Sequence, residues 1–285
     1  MRSNKQENQF FIPLYHLGSS KPDIRALMKE KGNAGLWYEK FCDQWNCRLS
    51  KNRKFIRKLA LEGTGKQQWN NKIAKIGKVG DAEEIERAKY RLQQLVNKKK
   101  GKLIRMKTVS RFVPGMGRPN PVENGLNWHP TLGVPYLPGS SVKGVVRTWA
   151  EFYEENDKNQ EDIQHIFGSD RTGSEQNDKN RQAGSVLFFD AIPATPIRLV
   201  EDVMTPHFST YYTDPGNISP RERENPIPIP FLAVDENQPF LFAVAPCEEK
   251  NIKDVDKVVH WLKEAMSWTG AGAKTAVGYG RFEEI

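Results

Sequence analysis

The sequence predicts an α+β fold with a ferredoxin-like βαββαβ core, and three observations predict it. From residue 102 onward the apolar segments follow the order strand, helix, strand, long excursion, strand, helix, strand, the split βαβ plan. The helical segments there repeat apolar residues at three- and four-residue spacing, while the strand segments are short, β-branched and aromatic runs. Before residue 102 the character changes to helical patterns with a one-signed basic charge. Residues 1–101 therefore read as an N-terminal helical, basic extension, 102–285 as the main domain, and 193–238 as a proline-rich insertion within it.

In chain order, QFFIPLY at 9–15 is a short strand candidate whose Pro13 confines it to a sheet edge. Pro22-Asp23 opens a helical pattern with Ile24, Leu27 and Met28 on one face. Leu36, Trp37, Phe41 and Trp45 predict a second helix, which would also hold Cys42 and Cys47. A basic stretch follows and ends in a clear helix. Asp81 is its N-cap, acidic residues fill its first turn and Lys98–Lys100 its last, as the helix dipole favours. Ile85, Ala88, Leu92, Leu95 and Val96 form its apolar stripe.

KLIRMKTVSRFV after Gly101 alternates as a strand with one wet face. A Pro-, Gly- and Asn-rich loop covers 114–139. Ser140 is then the expected N-cap of a helix with Val142, Val145, Val146, Trp149 and Phe152 on its buried side. The polar tract 154–182 holds only the short apolar HIFG. SVLFFDAI (185–192) and QPFLFAVA (238–245) are strands, and the excursion between them shows no helical pattern. Val255, Val258, Val259, Leu262, Ala265 and Met266 mark the second core helix, and AVGYGRFEEI the last strand.

The chain has 285 residues, 38% hydrophobic and 27% charged, as suits a water-facing globular protein with exposed insertions. No apolar run approaches the roughly 18 residues of a membrane span, and the polar start is no secretory signal, so a cytoplasmic protein without membrane contact is expected. Cys42, Cys47 and Cys247 form neither a disulfide framework nor a zinc site and read as buried thiols. Charge is unevenly spread. Residues 51–107 hold 18 lysines and arginines against 5 acids, whereas the whole chain is only +8. The remainder is therefore acidic, and a polyanionic partner is expected along that one segment.

Two segments carry the chemistry. In Gly133-Val-Pro-Tyr-Leu-Pro-Gly-Ser-Ser-Val-Lys-Gly-Val-Val-Arg147, a Pro-Gly turn runs into a helix start. Amides of 139–141 and the hydroxyls of Ser140 and Ser141 would meet an anion there. Lys143 and Arg147, four apart, share the outer face, and Gly144 between them admits a close backbone approach. An ordinary capped helix with two solvated cations fits the same residues. The second segment, Thr269–Arg281, holds Gly270, Gly272, Lys274, Gly278 and Gly280. It is no nucleotide P-loop, since Ala273 precedes Lys274 and the helix lies before it. It reads as a flexible loop exposing its backbone to phosphate and sugar, or as a plain helix-to-strand connection.

These motifs in order, GVPYLPGSSVKGVVR, IFGSDRTG, GSVLFFDA and GAGAKTAVGYGRF, resemble the RAMP superfamily of RNA-binding proteins. NAGLWYEKF, DVMTPHFSTYY (202–212) and PIPIPFLAV (226–234) are similar to the sixth-subunit family of the Cmr complex, the type III-B CRISPR effector. The resemblance covers nearly all of the chain except the basic region 51–100. It implies a non-catalytic subunit in antiviral defence that caps the backbone filament and holds the 3′ part of the guide RNA. The implied partners are guide and target RNA, the Cmr backbone subunit, the Cmr first-subunit protein and the small subunit. It also implies a projecting thumb, for which 193–230 is the candidate.

Related RAMP proteins cut guide precursors with a histidine, so an endoribonuclease is the alternative function. His129, in NWHP before the Pro-Gly turn, is the histidine closest to the expected RNA path. No second acid or base accompanies it in the sequence. Asp190 reads as a structural hydrogen-bonding residue at a strand end. The acids show no metal-ligand spacing, and no cofactor is expected.

Overall fold

The protein, a computed structural model, is described at residues 25–26, 31–42, 45–49, 55–59, 64–118, 120, 122–153, 159–169, 182–208, 219, 226 and 228–285; for 45–49, 55–59 and 159–160 the description is of the backbone. The strand expected at 9–15 and most of the helix expected after Pro22 lie outside these residues.

Helix α1 (Ala34–Lys40) starts where the Asn33 side chain accepts from the Leu36 N–H. It is shorter than its apolar spacing predicts. Trp45 belongs to strand β1 (Trp45–Leu49), which pairs antiparallel with β2 (Phe55–Leu59). Cys42 is buried just past α1 and Cys47 lies on β1, so neither is helical. The apolar face of α1 is Ala34, Trp37 and Tyr38, while Leu36 is exposed. Tertiary contact overrides the expected spacing. Trp37 stacks on Trp69 with ring centroids 4.1 Å apart, and the Trp69 indole N–H donates to the Tyr38 carbonyl.

Trp69 belongs to α2 (Gly65–Ala74), inside the basic stretch. The short β3 (Lys78–Val79) follows, then α3 (Ala82–Lys98), capped as expected by Asp81, whose carboxylate accepts from the Glu83 and Glu84 amides. Of its expected stripe, Ile85 and Val96 are buried and Ala88 and Leu92 half-buried, but Leu95 is exposed.

The main domain runs through β4 (Lys102–Thr108), α4 (Gly139–Tyr153), α5 (Asn159–Phe167), β5 (Val186–Phe188), β6 (Ile192–Pro193), β7 (Ile197–Met204), β8 (Ile229–Val234), β9 (Pro239–Pro246), α6 (Ile252–Trp268) and β10 (Phe282–Glu284). One sheet has the order β10-β4-β9-β5, every pairing antiparallel, with β6 also pairing β9. Every residue of β9 from Phe240 to Ala245 is buried, so both its faces are covered. Helix α6 packs on this sheet through Val255, Val258, Trp261, Leu262, Ala265 and Met266, and α4 packs on α6.

Four expectations change. Phe152 lies on the outer side of α4, 77% exposed, and Ala150 takes the buried place. The tract 154–182 contains helix α5. The strand at 185–192 breaks at Phe189–Ala191, where the chain turns to bond with Leu137. The excursion 193–238 contains β7 and β8, which pair with each other and with β3 in a second sheet, β3-β7-β8. Prolines fit there because β8 is an edge strand of that sheet. Helix α2 packs on β7 and β8, and residues from 34–101 and from 102–285 join one cluster of buried side chains.

Candidate nucleic-acid interface

The start of α4 is built from three chain segments. Trp128 and Pro135 form an isolated bridge, and Leu137 bridges to Ala191, which brings Pro138 beside the break between β5 and β6. The Gly139 N–H donates to Asp190 Oδ1 at 2.7 Å. A Cβ at Gly139 would stand 2.4 Å from the Phe188 carbonyl oxygen, so the glycine is required by close packing.

Two expectations for this turn are corrected. Ser140 is not the N-cap: the helix begins one residue earlier, at Gly139, and both serines lie within its first turn. Two of the three amides of 139–141 are also already taken within the protein. Gly139 N–H is taken by Asp190, Ser141 N–H by the Pro138 carbonyl, and a carboxylate already stands at the positive end of the helix. Asp190 is thus a structural hydrogen-bonding residue, as expected from its place after FF.

Further along, Ser140 and Gly144 are exposed, and Ser141, Lys143 and Arg147 half-buried. A Cβ at Gly144 would meet nothing within 4 Å, so the surface between Lys143 and Arg147 is open. Arg147 Nε also bonds Glu151 Oε1 at 2.6 Å, one helical turn on.

His129 comes near this helix start. Its Nδ1 accepts from the Leu132 N–H at 3.3 Å and lies 3.2 Å from the Thr131 hydroxyl, and its ring meets Tyr136 edge to face. Burial lowers its pKa, against an opposing pull from the Asp190 charge. The ring is therefore held neutral, oriented by backbone and without a carboxylate bonded to it.

The terminal glycine loop is also corrected. It is a pinned loop, not a flexible one. Ala271 N–H donates to the Gly280 carbonyl, Gly280 N–H to that of Arg111, and Ala273 N–H to that of Val113. Gly270, Gly272, Gly278 and Gly280 all have positive φ. A Cβ would stand 2.7 Å from the Gly280 carbonyl oxygen at Gly270, 2.6 Å from the Val113 oxygen at Gly272 and 1.9 Å from the Ala271 oxygen at Gly280. Those three glycines serve packing of the protein's own backbone; Gly278 alone of the four faces open space.

Lys274 sits at the apex of this loop with φ 64, its Nζ 5.4 Å from the Phe231 ring centroid and 5.8 Å from that of Tyr279. The Tyr279 hydroxyl donates to Asp202 Oδ2, which also accepts from Arg111 Nη1 at 2.6 Å. Burial and the Asp202 partner push the Tyr279 phenol up to about 12. Two cations and an aromatic pair thus gather where the β7–β8 hairpin meets the glycine loop. A polyanion could use the cations there, whereas no nucleophile–base pair is present among the described residues.

The model of the RAMP superfamily matches residues 105–283. The chain belongs to the RAMP superfamily. Within it, the resemblance to the Cmr sixth-subunit family is borne out by two relatives. Cmr6 of Pyrococcus furiosus is 32% identical over 231 residues, 63% of this chain and 67% of that protein. Cmr6 of Saccharolobus solfataricus is 28% identical over 163 residues, 56% of this chain and 49% of that protein, so the match spans about half its length. A chain in the cryo-EM structure of the type III-B Cmr-beta complex bound to cognate target RNA shares the fold. It has a TM-score of 0.58 and 22% identity over 77% of this chain and 72% of that one.

In this RAMP protein the sequence motifs converge in two places. Asp190 bonds the α4 start while its charge acts on His129, and the glycines join Lys274 to the hairpin. Arg111, Asp202, Tyr279 and Phe231 were not singled out from the sequence. Three of them lie inside motif blocks carrying the family resemblance, but nothing in the spacing shows that they meet. Among the described residues no His, Cys, Asp or Glu cluster could hold a metal ion, and no helix is long and apolar enough to cross a membrane.

Proposed function

We propose that this chain is a non-catalytic RNA-binding subunit of a type III-B CRISPR (Cmr) effector complex. In antiviral defence it caps the backbone filament and holds the 3′ part of the guide RNA. The carrying observation is the open surface over Gly144 between Lys143 and Arg147, in a chain similar to Cmr6. The grip is electrostatic and sequence-independent, and base choice is left to guide–target pairing. Ser140, Ser141, Lys143 and Arg147 would contact phosphate directly. His129 would lie at the flank. Lys274, carried by the pinned glycines, would add a further cation. The clamp is thus the exposed face that runs from the two serine hydroxyls to Arg147, and not the Gly139 amide, which Asp190 occupies.

We read the core of 102–285 as ferredoxin-like, with 1–101 as an elaboration on it. The order β10-β4-β9-β5 supports this, because it follows the 4-1-3-2 order of a βαββαβ sheet in which every pairing is antiparallel. The β7–β8 hairpin supports the reading of 193–230 as a thumb. Its expected tip, within 209–227, lies mostly outside the described residues. The backbone subunit, first-subunit protein and small subunit are the proposed neighbours, and guide and target RNA the nucleic-acid partners, in the cytoplasm.

Reconstituted complexes with and without this chain test the reading. A 3′ exonuclease should leave the guide intact when the chain is present and trim its 3′ end when it is omitted. Equal trimming in both overturns the capping role. Incubation with a repeat-containing RNA tests the endoribonuclease alternative; discrete cleavage abolished in His129→Ala would establish it instead.

A further inference from the structure

We propose that the outward face of α3, from Tyr90 to Lys99, is a second contact for RNA backbone, outside the family's core. The proposal rests on the RNA-binding reading above and extends it to a separate element.

Among the described residues the fold sorts the cations of the basic segment into partnered and unpartnered ones. Lys66 pairs with Glu123, and Lys72 lies over the Trp69 ring. On α3 itself Arg87 pairs with Glu84 and Lys89 with Glu86, while Lys100 pairs with Glu249 and Lys102 with Asp256. Arg91, Lys98 and Lys99 have no acidic partner among the described residues. Ile85 and Val96 hold the opposite side of the helix against the domain, where α3 packs on β4 and β9. The free side of α3 therefore points outward with a residual positive charge.

Helical spacing sets Arg91, Leu95 and Lys98 in one row, at i, i+4 and i+7. Leu95 in this row is 45% exposed, and Tyr90, about 100° round the helix from Arg91, is 64% exposed. An outward tyrosine on a cationic helix suits a single-stranded RNA, whose bases stack on aromatic rings while its phosphates pair with flanking cations. Lys98 and Lys99 also complement the helix dipole, but that effect accounts for neither Arg91 nor the two exposed apolar side chains. Gly101, just past α3, packs against Val244 and Ala245 of β9, and Gly139 at the start of α4 packs against Phe188 of β5, the strand paired with β9. The segment's one-signed charge, 18 cations to 5 acids over 51–107, favours a polyanion over an ordinary protein surface.

The test measures anisotropy of a labelled single-stranded RNA of guide length with the full chain at several salt concentrations. Arg91→Gln/Lys98→Gln/Lys99→Gln should weaken binding at least about tenfold. It should also flatten the log–log salt slope by about 2, at roughly 0.7 per lost single-strand phosphate contact. Ultraviolet crosslinking of the unaltered chain should map to Tyr90, a result that does not depend on any variant folding. An unchanged affinity and slope overturns the proposal, as does the absence of crosslinks in 90–99. Lost assembly with neighbouring subunits at an unchanged RNA slope overturns it too, and assigns the face to an acidic protein surface. Lys143→Ala/Arg147→Ala is measured alongside. Loss in that variant alone sinks the α3 contact and keeps the clamp, and loss in the α3 variant alone does the reverse.

Discussion

Arg111 and Asp202, 91 positions apart, meet through Nη1 and Oδ2 at 2.6 Å. The first lies in the loop after β4 and the second on β7. The Tyr279 hydroxyl shares the same carboxylate oxygen, so the hairpin and the terminal glycine loop are fastened to one point. Lys274, placed over Phe231 and Tyr279, depends on that fastening for its position.

Replacing Asp202 with Asn should cost about 1–2 kcal/mol at neutral pH, the scale of hydrogen bonds to a half-buried charged group. Burial opposes ionisation of Asp202, but its bonds from Tyr279 and Arg111 outweigh it and hold its carboxyl below the usual range. A folded-state pKa below the unfolded value of about 3.9 adds stability that is fully present above that value. It is lost as pH falls through the lower folded value. Urea melts of both proteins should show the gap at neutral pH and its closure below about pH 4. A gap that persists in acid contradicts the assignment.

Tyr279→Phe should remove one anchor at a cost of about 1 kcal/mol. In the unaltered protein this phenol should ionise late, near pH 12. An ultraviolet titration that finds all the tyrosines ionising together near their ordinary value of about 10 contradicts the bond.

The glycines of the terminal loop should differ in a predictable order. Gly278→Ala meets open space and carries only the positive-φ penalty of about 1–2 kcal/mol. Gly280→Ala adds a clash with the Ala271 carbonyl and should disrupt the loop outright. Thermal melts rank the two; similar losses would mean that the loop is loose after all.

Asp190→Ala should cost about 1 kcal/mol by stripping the α4 start of its acceptor. Removing that negative charge should leave RNA affinity equal or stronger. Weaker RNA binding by a folded Asp190→Ala protein would place the nucleic acid in the first turn of α4 instead.

Much of the fold is legible in the sequence because periodicity and capping are local. Asp81, the α6 stripe and the strands β4 and β9 follow from short-range pattern. What was not legible depends on distant partners. Trp45 fits a helical spacing, yet hairpin pairing with Leu59 puts it on a strand. Phe152 also fits a buried stripe, but α4 is rotated so that Ala150 faces inward. At the site, Pro-Gly-Ser-Ser reads as an anion-binding helix start, but an acid 51 positions later fills it. The terminal glycines read as flexibility until the facing carbonyls are seen.

The central claim is that the α4 face holds RNA by its backbone. Its most direct measurement is the affinity of the full chain for a guide-length RNA across salt concentrations, compared with Lys143→Ala/Arg147→Ala. The expected result is weaker binding and a log–log slope shallower by about 1.4, the loss of two single-strand phosphate contacts. A folded double variant with the same affinity and the same slope would contradict the account.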